Sequence, residues 1–327
     1  MKKIAFIVSG LIGRKGKILE DIQLQFGRGQ YHVDFFETRF SGHARQLSAQ
    51  VFREGYSHII AVGGDGTFNE VANGVFDECR IKNEVSIEIE QFDTEKLKQC
   101  VIGLFPAGSG NDFSRTANIL KSAAYLKLLI DNDNQVLIDV GIAVYTKASS
   151  DSENGKGSRI FLNVADVGMG GAATFYLSNM KSKSFLGPTL LYAKAIIQTF
   201  LTYKKQNVTF IGKNFSWQGK IMSLVMANGK YFGSGLGIAP NADLTDGQLS
   251  GVVLGNISVR HYLAYLPKLR RCELISNPQI RYFNEEEVEM QSLENPLYMQ
   301  MDGELVGTTP VTIGVLKQCI KVLMPEK

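Results

Sequence analysis

The chain has 327 residues, 44% of them hydrophobic, with 35 Lys and Arg against 32 Asp and Glu and a net charge of +3 at pH 7. That length holds two domains with cores of their own, and a near-balanced charge without a long basic run argues against a nucleic-acid partner while allowing mild attraction to an anionic membrane surface. Four scattered cysteines (Cys79, Cys100, Cys272, Cys319) lack C-x-x-C spacing, so reduced and mostly buried thiols are expected rather than a zinc or disulfide framework.

In chain order, the apolar run from Ile4 stops at Ser9-Gly10 and reads as a first strand, Lys3–Val8, rather than a signal segment. A helix near Gly16–Phe26, a strand Tyr31–Glu37 and a helix near Ala44–Glu54 follow. Next come a strand ending in Gly63, a helix Phe68–Phe76, a strand Val101–Phe105 and a helical run around Ser122–Asn132. Strand and helix alternate, as in a doubly wound α/β unit. Beyond Asp139 the pattern changes to strands with polar turns: Val136–Val144, Arg159–Ala165, Asn207–Ile211, Lys220–Ala227, Leu249–Leu254 and Val311–Met324. This predicts an antiparallel, sandwich-like second domain. Cys79–Gln99, with a short alternating stretch at Val85–Ile89, and the polar Thr146–Ser158 read as insertions. No segment approaches the roughly 20 apolar residues of a spanning helix, so the expectation is a cytoplasmic protein without a transmembrane segment.

Two loops carry the chemistry. The β-branched run His58–Val62 breaks into Gly63-Gly64-Asp65-Gly66-Thr67 and then continues at helical spacing. Glycines let backbone N–H groups approach a ligand, and the helix that follows offers a positive dipole end. The loop is neither a G-x-x-x-x-G-K-S/T P-loop nor a G-x-G-x-x-G fingerprint. A carboxylate repels phosphate unless a divalent cation lies between them, so Asp65 points to a nucleotide with magnesium. A second strand, Val101–Phe105, ends in Pro106-Ala107-Gly108-Ser109-Gly110-Asn111-Asp112. In a parallel sheet such loops gather at the carboxyl ends of the strands.

G-G-D-G-T-F-N-E-V-A-N-G at 63–74, followed by P-A-G-S-G-N-D-F-S-R at 106–115, resembles the diacylglycerol kinase catalytic domain of bacterial lipid kinases, which are related to sphingosine, ceramide and NAD kinases. Arg159–Ala165 with Gly168, Ala227–Gly233 with Ala239–Gly247, and Met301-Asp302-Gly303-Glu304 resemble later segments of that family. The resemblance implies an ATP-binding α/β domain over 1–135 and a β-rich lipid-substrate domain over 136–311, with 312–327 returning to pack on the first. It implies ATP-dependent transfer of a phosphoryl group to the hydroxyl of a diacylglycerol-like or long-chain-base lipid, with peripheral membrane contact. A homodimer is compatible with it.

By the same resemblance, Gly63, Gly64, Asp65, Gly66 and Thr67 cradle phosphate, with Asn69, Ser109, Asn111 and Asp112 beside them and Ser9 and Thr38 at further nucleotide contacts. The family commonly carries Asn-Pro where this chain has Ser9-Gly10, and Arg14 or Lys15 could neutralise phosphate or be plain solvated charge. Thr38 reads equally as a helix-initiating turn residue, and Asp112 equally as a helix cap. Glu304 is the first choice of base and Asp302 the second; without the resemblance, Asp302-Gly303 would read as a hairpin turn. Asp65 is assigned to magnesium rather than to the base. A structural magnesium is implied at the Asp246 carboxylate with the carbonyls of Asp243 and Gln248, against a plain Asx turn. The apolar Phe185–Tyr203 reads as a buried core helix ahead of a lipid-facing one. Two alternatives stay open: an NAD kinase-like enzyme, and a non-catalytic nucleotide or lipid sensor.

Overall fold

Short β-branched runs bounded by glycine and polar residues build the first set of strands. In the computed structural model, which describes residues 1–27, 29–81, 89, 91–147, 155–181, 198–199 and 202–326, these runs are β1 (Lys2–Val8), β2 (Tyr31–Glu37), β3 (His58–Gly63) and β4 (Val101–Pro106). They alternate with helices α1 (Lys15–Phe26), α2 (His43–Arg53), α3 (Asp65–Glu78), the single-turn α4 (Thr94–Leu97), α5 (Asp112–Thr116) and α6 (Ala123–Asp131). The chain then continues through β5 (Gln135–Lys147), β6 (Lys156–Phe161), β7 (Val164–Gly168) and α7 (Met169–Lys181). After these come β8 (Gln206–Gly212), β9 (Ser216–Ile221), β10 (Ser223–Ala227), the short pair β11 (Tyr231–Phe232) and β12 (Leu236–Gly237), and β13 (Leu249–Leu254). Helix α8 (Val259–Arg270), β14 (Ile280–Glu285), β15 (Glu287–Ser292), β16 (Tyr298–Met301) and β17 (Glu304–Leu323) complete it. The expected strand at 85–89 and the apolar helix at 185–203 fall almost wholly outside the described residues, as does the middle of the 146–158 insertion.

The chain divides into two compact units, Met1–Val140 with Lys317–Lys327, and Gly141–Leu316. In the first, all strands are parallel, in the order β2-β1-β3-β4, with the end of β17 beside β4 through Lys321–Val101 and Val322–Ile102. Alternation along the strands sends Ile4, Phe6, Val8, Ile60 and Val62 to one face. There they meet Ile18, Ile22 and Phe26 of α1 and Leu126, Leu129 and Ile130 of α6. Helices α2 and α3 cross closely: a Cβ on Gly74 would stand 2.0 Å from the Ser48 hydroxyl and 2.2 Å from the Arg45 carbonyl. The glycine that ends the 63–74 motif is thus a helix-packing residue. This doubly wound unit agrees with the expected α/β class.

The second unit is β-rich and antiparallel, in the order β14-β13-β10-β7-β16-β17. Strand β15 links β17 to the β8–β9 hairpin, and β5 pairs with β6 and β17. Its main core joins Phe161, Val167, Phe210, Ile221, Leu224, Met226, Met299 and Ile313; Phe283 stacks on Phe210, and Phe215 packs against it at a tilt. The expected strand Arg159–Ala165 is two strands with a break at Leu162-Asn163, and Lys220–Ala227 is likewise broken at Met222. Among the described residues the four cysteines are free; Cys79, Cys100 and Cys319 are buried and Cys272 is half-buried. Burial pushes the thiols up, Cys79 to about 11 and Cys319 to about 12.

Candidate active site

The carboxyl ends of β1 to β4 lie along one edge of the first unit's parallel sheet, which brings four loops side by side. The two glycine loops are in backbone contact. Gly63 O accepts the amides of Ala107 (2.7 Å) and Gly108 (3.1 Å). A Cβ on Gly108 would lie 2.4 Å from Gly64 Cα, so neither loop tolerates a side chain at the contact. Gly63 is confined by Thr67, whose hydroxyl would stand 2.5 Å from an added Cβ. Helix α3 begins from Gly64 without a side-chain cap. Phe68 and Phe113, both buried, pack at 4.8 Å between ring centroids beneath the two loops.

Asp65 does not stand alone in its loop. Its Oδ2 accepts the Asp112 amide and its Oδ1 the Phe113 amide, each at 3.0 Å. The carboxylate therefore caps α5 and fastens the second loop to the first. Asn111 takes a left-handed conformation (φ 53°) and folds its side chain back onto Gly108, accepting from its N–H (3.1 Å) and donating to its carbonyl (2.9 Å). Asp112 is buried, whereas Ser109 is exposed at the loop tip. Asn69 is also buried, and its side-chain carbonyl accepts from the Asn73 side-chain Nδ2 at 3.0 Å. That gives Asn69 a place under the first turn of α3 rather than on the loop surface.

The first-strand loop closes over its neighbours. Ser9 donates its amide to Val62 O (3.0 Å), and the Thr38 hydroxyl accepts the Gly10 amide (3.1 Å). Lys15 is ion-paired with Glu37, and Arg14 is the left-handed residue before α1. The motif reading passed over Glu70. Its two carboxylate oxygens accept the Gly42 (2.8 Å) and Ala44 (3.0 Å) amides, capping α2 just after the Thr38 loop. Five residues beyond Asp65 and inside the quoted motif, this carboxylate was visible in the sequence, but its partner helix was not.

In the second unit the late acidic pair divides its labour. Asp302, at φ 47° in the turn between β16 and β17, accepts three main-chain amides: Leu162 (2.8 Å), Asn163 (3.0 Å) and Val164 (2.9 Å). It holds open the break between β6 and β7. Glu304 instead meets Arg159, Nη1 to Oε2 2.6 Å, with Arg159 14% and Glu304 36% exposed at the side chain. Arg159 was quoted in the R-I-F-L-N strand without a role; a single charge opening an apolar strand was the available signal. Further along, Thr245 donates its amide and hydroxyl to Asp243 Oδ1 (3.0 and 2.8 Å), and the Gln248 amide donates to Asp246 Oδ1 (3.0 Å). Asp246 is exposed, beside Gly247 at φ 74°. No cluster of three or more His, Cys, Asp or Glu side chains suited to a metal ion occurs among the described residues.

One more acid stands in this unit. Asp166, on β7, is 3% exposed and faces the Ser223 hydroxyl and the Gly170 amide at the start of α7, while its Oδ1 has no hydrogen-bond partner among the described residues. Burial pushes its carboxyl up to about 7. The buried Tyr203 hydroxyl likewise has no partner among the described residues, and burial with the Asp166 charge raises its pKa.

Two family models match in sequence order. The diacylglycerol kinase catalytic domain covers residues 7–143, and the YegS C-terminal NAD kinase beta sandwich-like domain covers residues 166–324. The diacylglycerol kinase of Bacillus subtilis (strain 168) is 26% identical over 335 residues, covering 100% of this chain and 98% of that protein. The diacylglycerol kinase of Staphylococcus carnosus (strain TM300) is 25% identical over 313 residues, covering 95% and 90%. A crystal structure from Bacillus anthracis str. Sterne shares the fold with a TM-score of 0.71 at 22% identity, over 99% of this chain and 97% of that one. With paired glycine loops in the first unit, a late acidic pair in the second and both family models in order along it, this chain belongs to the diacylglycerol kinase catalytic-domain family.

Proposed function

We propose that the protein is an ATP-dependent lipid kinase that moves the γ-phosphoryl group onto the hydroxyl of a diacylglycerol-like or long-chain-base lipid, in peripheral contact with the surface that holds the lipid. The observation that carries this reading is the Gly64–Gly108 backbone contact beside the uncapped N-terminus of α3. First-turn amides and the helix dipole suit phosphate oxygens, and glycine keeps every Cβ out of their way. The relatives that match along the whole chain bear the name diacylglycerol kinase, which favours a lipid alcohol over a soluble nucleotide as acceptor.

In this reading the backbone of Gly63–Thr67, with Ser109 and Asn111, holds the triphosphate, and Ser9 and Thr38 border the nucleotide. Magnesium would neutralise the oxygens of the phosphoryl group in flight. The donor set fits it: each Asp65 oxygen spends one lone pair on an α5 amide and keeps another for a metal-bound water, and Asp112 lies next to it. Glu304 takes the proton of the acceptor hydroxyl as its oxygen attacks phosphorus, while Asp302 sets the turn that presents it. A second magnesium at the Asp246 carboxylate and the carbonyls of Asp243 and Gln248 would brace the turn before β13; an oxygen-only donor set suits a hard cation.

The test is transfer from γ-labelled ATP to mixed micelles of diacylglycerol, ceramide or sphingosine, with NAD in a parallel reaction. Label is expected in a lipid phosphate monoester. Label in NAD alone, or in no lipid, overturns the reading. For the structural cation, EDTA should lower the melting temperature of the wild type but not of Asp246→Ala; equal lowering in both removes Asp246 from that role.

A further inference from the structure

Helix α8 of the second unit buries one stripe and leaves the other to water. Tyr262, Tyr265, Leu266 and Leu269, at helical spacing, pack against a core that includes Val252, Leu254 and Ile275. The outward side holds Arg260, Leu263, Ala264, Pro267, Lys268 and Arg270, all exposed, Leu263 by 50%. No acidic residue lies in the helix. The turn after it adds Arg271, Leu274 at 50% exposure, and a single acid, Glu273, which Arg271 holds at 2.6 Å. From Ser258 to Leu274 cations outnumber acids by three, which equals the +3 of the entire chain, so the rest of the molecule is balanced. Arg260 and Arg270 have no carboxylate partner among the described residues.

We propose that α8 and the turn after it form the surface by which the protein docks on anionic lipid headgroups. The inference rests on the kinase reading above and names the place where the lipid-bearing surface is met. Each Lys or Arg near an anionic bilayer strengthens attachment about fivefold. Half-exposed leucines among those cations add a shallow apolar insertion. The inward stripe stays in the protein core, so α8 rests on the headgroups rather than in the acyl layer. An acidic protein would supply the charge as well, but a convex helix with leucine among its cations needs a matching groove in a rigid partner. A fluid headgroup layer shapes itself to the helix without one.

Sedimentation of the whole chain with vesicles tests this. Wild type should bind vesicles of phosphatidylglycerol and phosphatidylcholine in equal parts, bind phosphatidylcholine alone far more weakly, and detach as salt rises. Arg260→Gln combined with Arg270→Gln should weaken binding to the mixed vesicles about 25-fold. Leu263→Ser should weaken it about fivefold. These side chains are exposed, so the variants should melt with the wild type, and Lys268→Gln serves in place of an arginine variant that fails to fold. Phosphorylation of soluble short-chain diacylglycerol should be unchanged in the variants, while that of diacylglycerol in mixed vesicles falls. Equal binding of wild type and double variant to mixed vesicles, or of wild type to both kinds of vesicle, overturns the proposal. Wild type that binds polyglutamate but no vesicle also overturns it and assigns the surface to an acidic protein. In each of these cases, phosphorylation of short-chain diacylglycerol leaves the kinase reading standing. Vesicle binding as expected with no lipid alcohol phosphorylated overturns the kinase reading and leaves the docking surface in place.

Discussion

Several acidic side chains in this protein serve as clamps on the main chain. Asp65, Glu70 and Asp302 each accept two or three amides, Glu285 accepts those of Asn214 and Phe215, and the buried Asp139 accepts that of Gln318. A hydrogen bond to a charged group contributes about 1.5–3 kcal/mol, and an amide left without its acceptor costs a comparable amount. Asp302→Asn turns an amide donor toward amide donors. It should cost about 3 kcal/mol and lower the melting temperature by roughly 5–10 °C; an unchanged melt would refute the clamp. Glu304→Gln removes the charge that the 14% exposed Arg159 side chain meets and should lower stability, while turnover should fall by at least about a hundredfold as the proposed base is lost. Near-normal rates in the folded variant remove Glu304 from that role.

Asp166 differs, facing the Ser223 hydroxyl, the Gly170 amide and the neighbourhood of Tyr203. Its carboxyl is raised from 3.8 to about 7. Between those values the folded chain holds a proton that the unfolded chain has released. Stability is therefore greatest at low pH, falls as pH rises through the window, and carries the full penalty above about 7, on the order of 4 kcal/mol. Asp166→Asn cannot ionise, so its unfolding midpoint should gain on wild type between about pH 4 and 7 and hold that gain above it. Parallel curves would show that the carboxyl titrates normally.

At the scale of elements, α3 organises the edge that carries the two glycine loops. Asp65 ties it to α5, Glu70 to α2, and Gly74 to α2 by close packing. Glu70→Ala should remove an N-cap worth about 1–2 kcal/mol and loosen the loop that follows Thr38. The KM for ATP should then rise several-fold with a smaller change in kcat, while Glu70→Gln, which keeps one acceptor oxygen, recovers part of the loss. A fall in kcat at constant KM would place Glu70 elsewhere in the reaction. Several elements were hidden from local reading for the same reason. The break at Leu162-Asn163 exists because Asp302, 140 residues away, binds its amides. Helix α7 opens on Met169-Gly170-Gly171, and the two glycines are poor helix formers. Gly171 is required because a Cβ there would stand 2.1 Å from the Tyr298 carbonyl. The Asp302-Gly303 turn was legible both as a hairpin turn and as the family's acidic segment, and both descriptions apply.

For the whole molecule, the end of the chain belongs to the first unit. Lys321 and Val322 extend its parallel sheet beside β4, and Leu323 packs over Gly103. Removing residues 317–327 takes away an edge strand and a core leucine, and exposes the flank of β4. The truncated chain should lose the cooperative melt of that unit and become a rapid trypsin substrate; a wild-type melt would show that the returning strand is dispensable.

The sequence by itself determined the strand and helix alternation of the first unit, the two glycine loops and the family, because these are local signals: period, turn chemistry and motif spacing. Only the tertiary structure decided that Gly64 and Gly108 touch, that Asp65, Glu70 and Asp302 grip distant amides, and that Arg159 partners Glu304. A carboxylate's role depends on which donors surround it, and those donors come from residues far along the chain.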